Sequence, residues 1–280
     1  MNCELKMTAL VAIGRLENRY AREWVEHHLG MGFDRVIVYD NNREGEERFE
    51  EVLQDRIDEG RVEIVDYRGL ENAQIDAYND CYRRYGGQCD WIAFLDFDEF
   101  LVTDRPLKEW LGEFVDADCV LVNWRVMTDS GLVLDDGRPL HERFTVPLGN
   151  EVMLRGQYRY NDHVKSIVRG GLMVKNLFGG QNPHVPAVKL RCCTASHRPV
   201  ACSAIQPYDH SRARIDHYTT KTIEEWLQVK YRRGFPAAVT KQWREQWAIP
   251  QFFEINERTA EKERIVKEWK SALAFGLAPL

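Results

Sequence analysis

The first half of the chain alternates apolar runs with segments in which apolar residues recur every three or four positions. Continuous apolar runs indicate buried strands, and the longer spacing indicates helices with one apolar face. Strands are predicted at 7–13, 35–39, 62–65 and 91–95, and helices at 19–31, 46–59 and 72–85. Strands that alternate with helices connect by right-handed crossovers, which predicts an α/β fold with a mostly parallel sheet and helices on both faces.

The second half has a weaker pattern. A helix at 106–114 and a strand at 119–126 are predicted, but residues 128–207 contain frequent Gly, Pro, Asn and His. Such residues favour turns and short strands, so we predict an irregular α+β region there. Helical spacing returns at 222–233 and at 252–275, where the last helix is charged and amphipathic.

Polar residues follow three of the predicted strands, at 15–18, 40–42 and 96–99. Ligands of open α/β sheets bind beyond the carboxyl ends of the strands, so these clusters mark a candidate site. The third cluster contains Asp96 and Asp98, which face the same way if the strand continues through them. Carboxylate oxygens suit Mg²⁺ or Mn²⁺, and such an ion can bridge a diphosphate. The plainer interpretation is a solvated acidic turn after a buried strand.

Composition narrows the classes of function. The 280 residues are 44% hydrophobic and 29% charged, which is typical of a globular chain with one large α/β domain or one domain and a small annex. The net charge of −6 argues against a general nucleic-acid-binding surface, which needs a basic face. We expect no secretory signal, and no apolar run approaches the roughly 20 residues that span a bilayer.

Seven cysteines, an odd number without a C-x-x-C pair, indicate reduced thiols and a cytoplasm-like compartment. Cys192, Cys193, His197 and Cys202 lie close together in the sequence and offer ligands for zinc. Their spacing matches no standard zinc pattern, so a zinc site is the less favoured interpretation of this segment.

The segment 91–101, Trp-Ile-Ala-Phe-Leu-Asp-Phe-Asp-Glu-Phe-Leu, resembles the metal motif of bacterial family-2-like and family-92 glycosyltransferases. Further positions match that group in order and spacing: Glu17-Asn18, Glu23-Trp24, His27-His28, Gly32, 38–42, Gln74, Ala77, Asn79, Cys81, 142–144, 165–168, 184–186 and 217–221. The resemblance covers roughly residues 8–235. One departure is Thr128-Asp129-Ser130-Gly131, where the family often has a Phe-Gly-Ser-like stretch that helps to shape the sugar pocket.

This resemblance implies a GT-A fold and a metal-dependent transfer of a hexose, galactose or glucose, from a UDP-sugar to a glycan or a lipid-linked saccharide, with inversion. Residues 1–126 would form the nucleotide-sugar-binding half, 127–235 the acceptor-binding half, and 236–280 a helical extension. The extension has Trp269 and Phe275 on its apolar face. It would pack on the core, dimerise, or contact the inner face of a membrane from the cytoplasm.

Roles of individual residues also follow from the resemblance. The metal ligands, for Mn²⁺ or Mg²⁺, are Asp96, Asp98 and His217. The donor-binding residues are Ala12, Arg15, Glu17, Asp40, Asn41, Gln74, Asp96 and Lys221, with Arg232 and Arg233 as weaker candidates. The acceptor-binding residues are Trp124 and His184, since aromatic faces stack on sugars.

Inversion needs a base that takes the proton of the acceptor hydroxyl, and we prefer Glu142 to Asp162 and Asp129 in this role. Plainer interpretations stay open beside these roles. Asp40 can be a turn-forming residue, His217 a core or helix-capping histidine, and Glu142 one half of an ion pair that fixes a loop.

Two other classes of function stay open. One is another metal-dependent nucleotidyltransferase or phosphotransferase. A phosphatase of the haloacid dehalogenase type usually has Thr or Val two residues after its second Asp, where this chain has Phe100, and the chain has no P-loop sequence. The other class is an inactive protein that binds a nucleotide sugar. Stabilisation by UDP without donor hydrolysis would favour that binding protein.

Overall fold

The computed structural model describes residues 5, 7–180, 182–231 and 244–274. Its strands are β1 Thr8–Gly14, β2 Arg35–Asp40, β3 Val62–Asp66, β4 Trp91–Phe94, β5 Glu99–Thr103, β6 Cys119–Val126, β7 Met153–Leu154, β8 Tyr158–Arg159, β9 Val164–Arg169, β10 Cys192–Thr194, β11 Pro199–Val200 and β12 Ala213–His217. Its α-helices are α1 Asn18–Met31, α2 Glu50–Asp58, α3 Gln74–Tyr85, α4 Leu107–Gly112, α5 Leu140–Arg143, α6 Ile223–Glu225, α7 Ile249–Ile255 and α8 Ala260–Ala274. A 3-10 turn spans Tyr160–Asp162, and π-helical turns span Trp226–Tyr231 and Arg244–Ala248.

Within the described part of the chain, ten strands form one sheet. Its main path runs β11-β10-β6-β9-β4-β1-β2-β3, and β12 pairs with both β5 and β6. Strands β4, β1, β2 and β3 are parallel, as is the β6–β10 pair, whereas β9 runs antiparallel between β4 and β6. The predicted α/β class is confirmed, because the first four predicted strands form the parallel centre of this sheet.

Strands β5, β9 and β12 are among the strands that the sequence pattern does not locate. Each of them carries charged side chains inside an apolar stretch, such as Glu99 in β5, Lys165 in β9 and Asp216 in β12. These side chains interrupt the apolar pattern, but all three are buried. Buried charges are therefore one reason why hydrophobic spacing does not reveal a strand.

Contacts within the chain define two compact units. The first consists of Met1–Arg125 and Tyr160–His217, and the second of Val126–Arg159 and Tyr218–Leu280. The first unit holds the parallel centre of the sheet together with β9, β10 and β12. It therefore combines residues from the two halves that the sequence predicts.

The core of the first unit lies between the parallel strands and α3. Ala9 and Val11 of β1 pack with Ile37 of β2 and with Tyr78 and Cys81 of α3. Successive side chains of a strand point to opposite faces, so the alternate residues of β1 and β2 face the other side of the sheet. These alternate residues are also fully buried, as a sheet covered on both faces requires.

Helix α1 contributes a fully buried histidine, His28, to the first unit. Its Nδ1 lies 2.8 Å from the Trp24 carbonyl oxygen, and Leu101 N donates to its Nε2 at 3.2 Å. The neutral imidazole with a proton on Nδ1 satisfies both contacts. Burial, helped by the neighbouring His27 and opposed by the Trp24 carbonyl, holds the pKa of His28 well below its ordinary value.

His28→Gln is expected to make stability less sensitive to acid. Below a pH of about 6.5 the unfolded chain takes up a proton at this histidine and the folded chain does not, so the free energy of unfolding falls as the pH falls. Urea denaturation at about pH 7.5 and about pH 5.5 should show a drop that is about 1 kcal/mol smaller in the variant. His197→Gln, at an exposed histidine, should keep the wild-type drop. Equal drops in all three proteins would contradict a neutral buried His28.

The second unit has its own apolar core. Ile223, Trp226 and Leu227 pack there with Phe252, and Val266 and Trp269 of α8 complete the cluster. The predicted packing of the terminal helix on a core is confirmed for α8. The helix predicted at 252–275 is two helices, α7 and α8, because Asn256 adopts an extended backbone between them. Phe275 lies outside the described residues.

A buried arginine joins two segments of the second unit. Arg143 donates to both carboxylate oxygens of Glu225 and lies 2.8 Å from Asp135. Glu225 also completes a capping box with Thr222 at the start of α6. The plainer interpretation pairs Glu142 with an arginine, and in the structure Arg143 has these buried partners. None of the helices that the structure describes is both long and apolar enough to cross a bilayer.

Candidate functional site

The polar clusters predicted after β1, β2 and β4 meet at one edge of the sheet. β1 and β2 end in register at Gly14 and Asp40, and Val11 of β1 pairs with Phe94, the last residue of β4. The carboxyl ends of three adjacent parallel strands therefore lie together. Ligands of open α/β sheets bind at this edge.

Asp96, Phe97 and Asp98 form the turn between β4 and β5. Glu99 N donates to the Asp96 carbonyl oxygen at 3.0 Å, which closes the turn. The alternation of side chains along an extended strand therefore does not apply to Asp96 and Asp98. The sequence argument that both carboxylates face one point through strand alternation is corrected here, and each carboxylate has its own partners.

Phe97 fixes this turn from the side of the core. Its ring stacks on Phe49 at a centroid distance of 5.0 Å and packs against Trp24 at 4.8 Å. A Cβ atom on Gly14 would lie 2.6 Å from the Phe97 ring, so only glycine fits at the end of β1. The acidic turn is thus anchored by a buried aromatic ring.

A buried lysine from β9 holds the first carboxylate. Lys165 Nζ lies 2.7 Å from Asp96 Oδ2 and 3.3 Å from Glu99 Oε2. The side chains of Lys165 and Glu99 have no exposed surface, whereas that of Asp96 is 34% exposed. Asp96 N also donates to Glu99 Oε2 at 2.9 Å. The three residues form a buried cluster from which the Asp96 carboxylate reaches the surface.

The ionisation of this cluster follows from burial and from the lysine. Burial would lower the pKa of Lys165, but the Asp96 and Glu99 carboxylates outweigh that effect and raise it. Burial also opposes the ionisation of Asp96, yet the Lys165 ammonium holds the pKa of that carboxyl below its usual value. Burial raises the pKa of Glu99 to about 8 despite the same ammonium. At neutral pH the cluster therefore holds an Asp96–Lys165 ion pair beside Glu99, whose burial favours the protonated form.

Helix α3 holds the other oxygen of Asp96. Gln74 Nε2 donates to Asp96 Oδ1 at 2.8 Å, and the Tyr78 hydroxyl donates to the same atom at 3.3 Å. Burial raises the pKa of Tyr78, so its hydroxyl stays protonated and donates. The structure thus brings Gln74, a predicted donor-binding residue, to the acidic turn.

The second carboxylate lies beside the predicted histidine. Asp98 Oδ1 is 3.6 Å from His217 Nε2, and both side chains are more than nine-tenths buried. His217 is the last residue of β12 and pairs with Glu99, the first residue of β5. This strand pairing brings a residue more than a hundred positions away onto the acidic turn.

The Trp124 ring lies beside His217 and also contacts two further histidines. Trp124 of β6 lies 4.3 Å from the His217 ring, stacks on His163 at 4.9 Å and meets His184 edge-on at 5.2 Å. His184 Nδ1 lies 3.0 Å from the Val164 carbonyl oxygen. Burial, reinforced by the Lys165 charge, lowers the pKa of His184 to about 3, so its ring is neutral. The predicted acceptor-binding residues, Trp124 and His184, therefore lie together beside a predicted metal ligand.

Two predicted donor-binding residues have other environments. Arg15 forms a two-point ion pair with Glu46, at 2.6 and 2.8 Å, instead of an open phosphate-binding position. The same bonds lower the pKa of Glu46 to about 2. Ala12 lies inside β1, and its side chain has no exposed surface with which to line a pocket.

Asp40 forms the turn that the plainer interpretation describes. Its Oδ1 accepts from Asn42 N at 2.9 Å, and its Oδ2 accepts from Arg68 at 2.6 Å. Its neighbour Asn41 donates to two backbone carbonyls of the loop after β3. Glu17 is buried, and its backbone carbonyl accepts from the first turn of α1. Donor binding by these residues stays a prediction.

The three candidate bases differ in exposure. Asp162 is buried, and its Oδ1 accepts from Tyr208 N at 3.1 Å. Asp129, in the second unit, is buried 2.5 Å from Lys262 Nζ. Glu142, on α5 of the second unit, is exposed. Of the three, Glu142 is the residue whose carboxylate faces solvent.

The predicted basic residues of the second half lie in the second unit or outside the described part. Lys221 is buried in the second unit, directly before the capping residue Thr222 of α6. Its backbone has a positive φ of 54°, which is uncommon for a side chain with a Cβ. Arg232 and Arg233 lie outside the described residues.

Sequence reasoning missed the roles of Lys165, Glu99 and Tyr78. A signal for Lys165 was present, since it stands between Val164 and Ile167 in an apolar segment. A lysine in such a segment requires a buried carboxylate partner. The acidic turn supplies that carboxylate, but hydrophobic spacing does not show which strands are neighbours.

The three predicted metal ligands have different partners in the structure. Lys165 Nζ lies 2.7 Å from Asp96 Oδ2 and supplies a positive charge there. Asp98 and His217 are the two members that lie side by side.

Sequence comparison adds the relatives of this chain. A glycosyltransferase family 92 protein from Oryza sativa subsp. japonica is 34% identical over 88 residues, which are 31% of this chain and 15% of that protein. Galactan β-1,4-galactosyltransferase GALS3 from Arabidopsis thaliana is 33% identical over 112 residues, 37% of this chain and 22% of that protein. The chain thus spans less than a quarter of the length of these curated relatives.

A solved structure and a family profile complete the comparison. The crystal structure of residues 1–349 of TarS from S. aureus aligns over 98% of this chain and 93% of its own, with 11% identity and a TM-score of 0.43. The sequence profile of glycosyltransferase family 92 matches residues 17–172, which include α1, the acidic turn and Lys165. Because this match covers more than half of the 280 residues, the chain belongs to glycosyltransferase family 92.

Proposed function

We propose that this chain transfers galactose from a UDP-sugar to a glycan or a lipid-linked saccharide, with inversion at the anomeric carbon. The observation that carries the proposal is the arrangement beyond β4, where Lys165 holds Asp96 and His217 lies beside Asp98. Buried charged groups with shifted pKa values at the carboxyl end of a parallel strand are typical of a functional site. We choose galactose because the relative GALS3 is named as a galactan β-1,4-galactosyltransferase.

We assign a divalent ion, Mn²⁺ or Mg²⁺, to Asp98 and His217. A carboxylate oxygen and an imidazole nitrogen that lie 3.6 Å apart are ligands of types that suit Mn²⁺. Asp96 is left out of this set, because Lys165 already places a positive charge 2.7 Å from it. When bound, such an ion supplies positive charge that stabilises a leaving diphosphate.

Asp96 contacts the donor in this scheme. Lys165, Gln74 and Tyr78 fix both of its oxygens from inside the protein. The 34% of its side chain that is exposed leaves the carboxylate able to accept a hydrogen bond from a sugar hydroxyl. A carboxylate that is held ionised and oriented before the ligand arrives binds without further ordering.

Trp124 and His184 offer aromatic surface for the acceptor. The neutral His184 ring and the indole of Trp124 bring apolar faces close to His217. Sugars bind such faces through their C–H groups, whereas their hydroxyls need polar partners. We therefore keep Trp124 and His184 as acceptor-binding residues.

Glu142→Gln is expected to lower the transfer rate by roughly 100-fold, with the KM for the donor unchanged. Glutamine keeps the size of the side chain but cannot take a proton from the acceptor hydroxyl. Steady-state kinetics with UDP-galactose and an acceptor glycan measure both constants. Asp162→Asn tests the alternative base, and we expect it to keep most of the wild-type rate because that buried carboxylate accepts from Tyr208 N in a loop. A weaker donor affinity with little loss of rate would make Glu142 a structural residue.

A panel of nucleotide sugars tests the function as a whole. The protein is incubated with Mn²⁺ and each donor, with and without glycan acceptors, and the products are separated by mass. We expect Mn²⁺-dependent hydrolysis of UDP-galactose and transfer to at least one acceptor. Stabilisation by UDP without hydrolysis or transfer would instead indicate a binding protein, and phosphate release from simple phosphoesters would indicate phosphatase chemistry.

A further inference from the structure

Three cysteines from three separate segments of the first unit converge on one point. Cys119 begins β6, Cys192 begins β10, and Cys202 follows β11. Their sulfur atoms all lie within 4.8 Å of one another. None of the three belongs to the acidic turn or to its partners, so they form a separate group, which we call the tri-cysteine cluster.

The strand register explains this convergence. β6 and β10 are parallel neighbours, and Cys119 and Cys192 are direct partners in that pair, so their side chains stand side by side on one face. β11 turns back along β10 and pairs Val200 with Cys192. Cys202, two residues after Val200, then places its sulfur beside the other two.

The adjacent cysteine does not share this arrangement. Cys193 follows Cys192 in β10, so alternation directs it to the opposite face, where its sulfur approaches the Cys119 carbonyl oxygen at 3.9 Å. His197, the other ligand that sequence spacing suggested for a zinc site, lies 3.0 Å from Glu113. In the structure, Cys119 joins Cys192 and Cys202, whereas Cys193 and His197 do not belong to the group. Cys119 lies more than seventy positions before Cys192 in the sequence.

We propose that the tri-cysteine cluster binds a zinc ion through three thiolates, with water as the fourth ligand. Zinc–sulfur bonds of about 2.3 Å in a tetrahedron place neighbouring sulfur atoms about 3.8 Å apart. This distance is compatible with the three sulfur atoms, which all lie within 4.8 Å of one another. Thiolates select soft or borderline ions, whereas Mg²⁺ and Mn²⁺ prefer oxygen ligands. The ion proposed here is therefore distinct in kind from the one assigned to Asp98 and His217.

The surroundings bury two of the three cysteines and leave the third partly exposed. Cys119 and Cys192 are buried in the apolar cluster that also contains Leu121 and Val168. Cys202 is more exposed than they are, and its sulfur lies 3.8 Å from the Pro186 carbonyl oxygen. That side provides an entry path for the ion and a position for the water ligand.

An ion at this position would clamp the segment that supports the candidate active site. Just after Cys202, Ala204 O accepts from Val164 N, and Gln206 N donates to Asp162 O. Val164 directly precedes Lys165 in β9. Zinc would thus tie β6 and β10 to the chain segment that pairs with the start of β9.

Cobalt(II) serves as the spectroscopic probe for zinc in the experiment that tests this proposal. The full chain is reduced, freed of metal and titrated with Co²⁺, and zinc is then added to displace it. We expect one equivalent of Co²⁺ to produce a thiolate-to-cobalt charge-transfer band that zinc removes. Zinc should also raise the midpoint of thermal unfolding, because it binds the folded chain.

Variants at and beside the cluster decide the outcome. Loss of an outer-shell partner lowers metal affinity by roughly 10- to 100-fold. Cys202→Ser and Cys119→Ala each remove a direct ligand, so each should weaken Co²⁺ binding by more than that. Cys193→Ala, the matched control on the opposite face, should bind Co²⁺ as the wild type does. The partly exposed position of Cys202 makes its serine variant the safer one to fold.

Two results would overturn the proposal. One is the absence of a charge-transfer band in the reduced wild-type chain. That result overturns the proposal also where mass spectrometry finds two of the three cysteines joined in a disulfide before reduction. The other is a band of equal strength in Cys202→Ser and Cys119→Ala. Neither result touches the transferase assignment, which rests on other residues.

Discussion

Asp98→Asn is expected to reduce galactosyl transfer on the order of 10³-fold or more. The amide has the shape of the carboxylate and leaves the buried turn intact, but it carries no charge to share a divalent ion with His217. Activity should be measured with UDP-galactose over a range of Mn²⁺ concentrations. Circular dichroism and the midpoint of thermal unfolding should stay close to those of the wild type.

Asp96→Asn separates the two carboxylates of the motif. Because Lys165 neutralises Asp96, we expect this variant to keep its Mn²⁺ dependence and to show a higher KM for the donor. Asp58→Asn, at an exposed position on α2, controls for the loss of an acidic residue. Near-wild-type transfer by Asp98→Asn would remove the Asp98–His217 pair from the scheme. An equal loss of Mn²⁺ affinity in Asp96→Asn and Asp98→Asn would place the ion between the two aspartates.

Lys165→Met is expected to lower the free energy of unfolding by about 3–5 kcal/mol. Methionine fills a similar volume, but it leaves Asp96 ionised against a buried cluster without its counter-charge. Urea denaturation at neutral pH measures the loss. A double variant, Lys165→Met with Asp96→Asn, should recover part of it, since the two residues are coupled through a 2.7 Å contact.

An exposed ion pair in the same unit provides the control for Lys165. Lys108 Nζ lies 2.8 Å from Asp34 Oδ1, but both side chains are more than one-third exposed. Lys108→Met should therefore cost less than about 1 kcal/mol, because solvent screens such a pair. Equal losses at the two lysines, or strictly additive effects in the Lys165–Asp96 double variant, would contradict a buried charge cluster.

The parallel centre of the sheet could be predicted because it is built from apolar runs. The runs at 7–13, 35–39, 62–65 and 91–95 became β1 to β4 with small changes at their ends. Side chains buried on both faces leave little room for polar residues, so the pattern is strong. The candidate site at the ends of these strands follows from the same reasoning.

Partners that are distant in sequence could not be predicted in the same way. Lys165 reaches Asp96 only because β9 inserts beside β4, and His217 reaches Asp98 only because β12 pairs with β5. Both pairings depend on the three-dimensional path of irregular segments, which single-sequence spacing does not encode. The same holds for Arg15, whose carboxylate partner Glu46 lies in the loop before α2.

The first unit is assembled from two stretches of chain separated by residues of the second unit. A ribosome that has released only the residues up to β6 has made the acidic turn, but neither Lys165 nor His217. The nascent chain therefore carries Asp96 and Asp98 without the cation and the imidazole that accompany them in the finished fold. Completion of the site must wait until translation has passed β12, so a fragment ending before that strand should lack the imidazole beside Asp98.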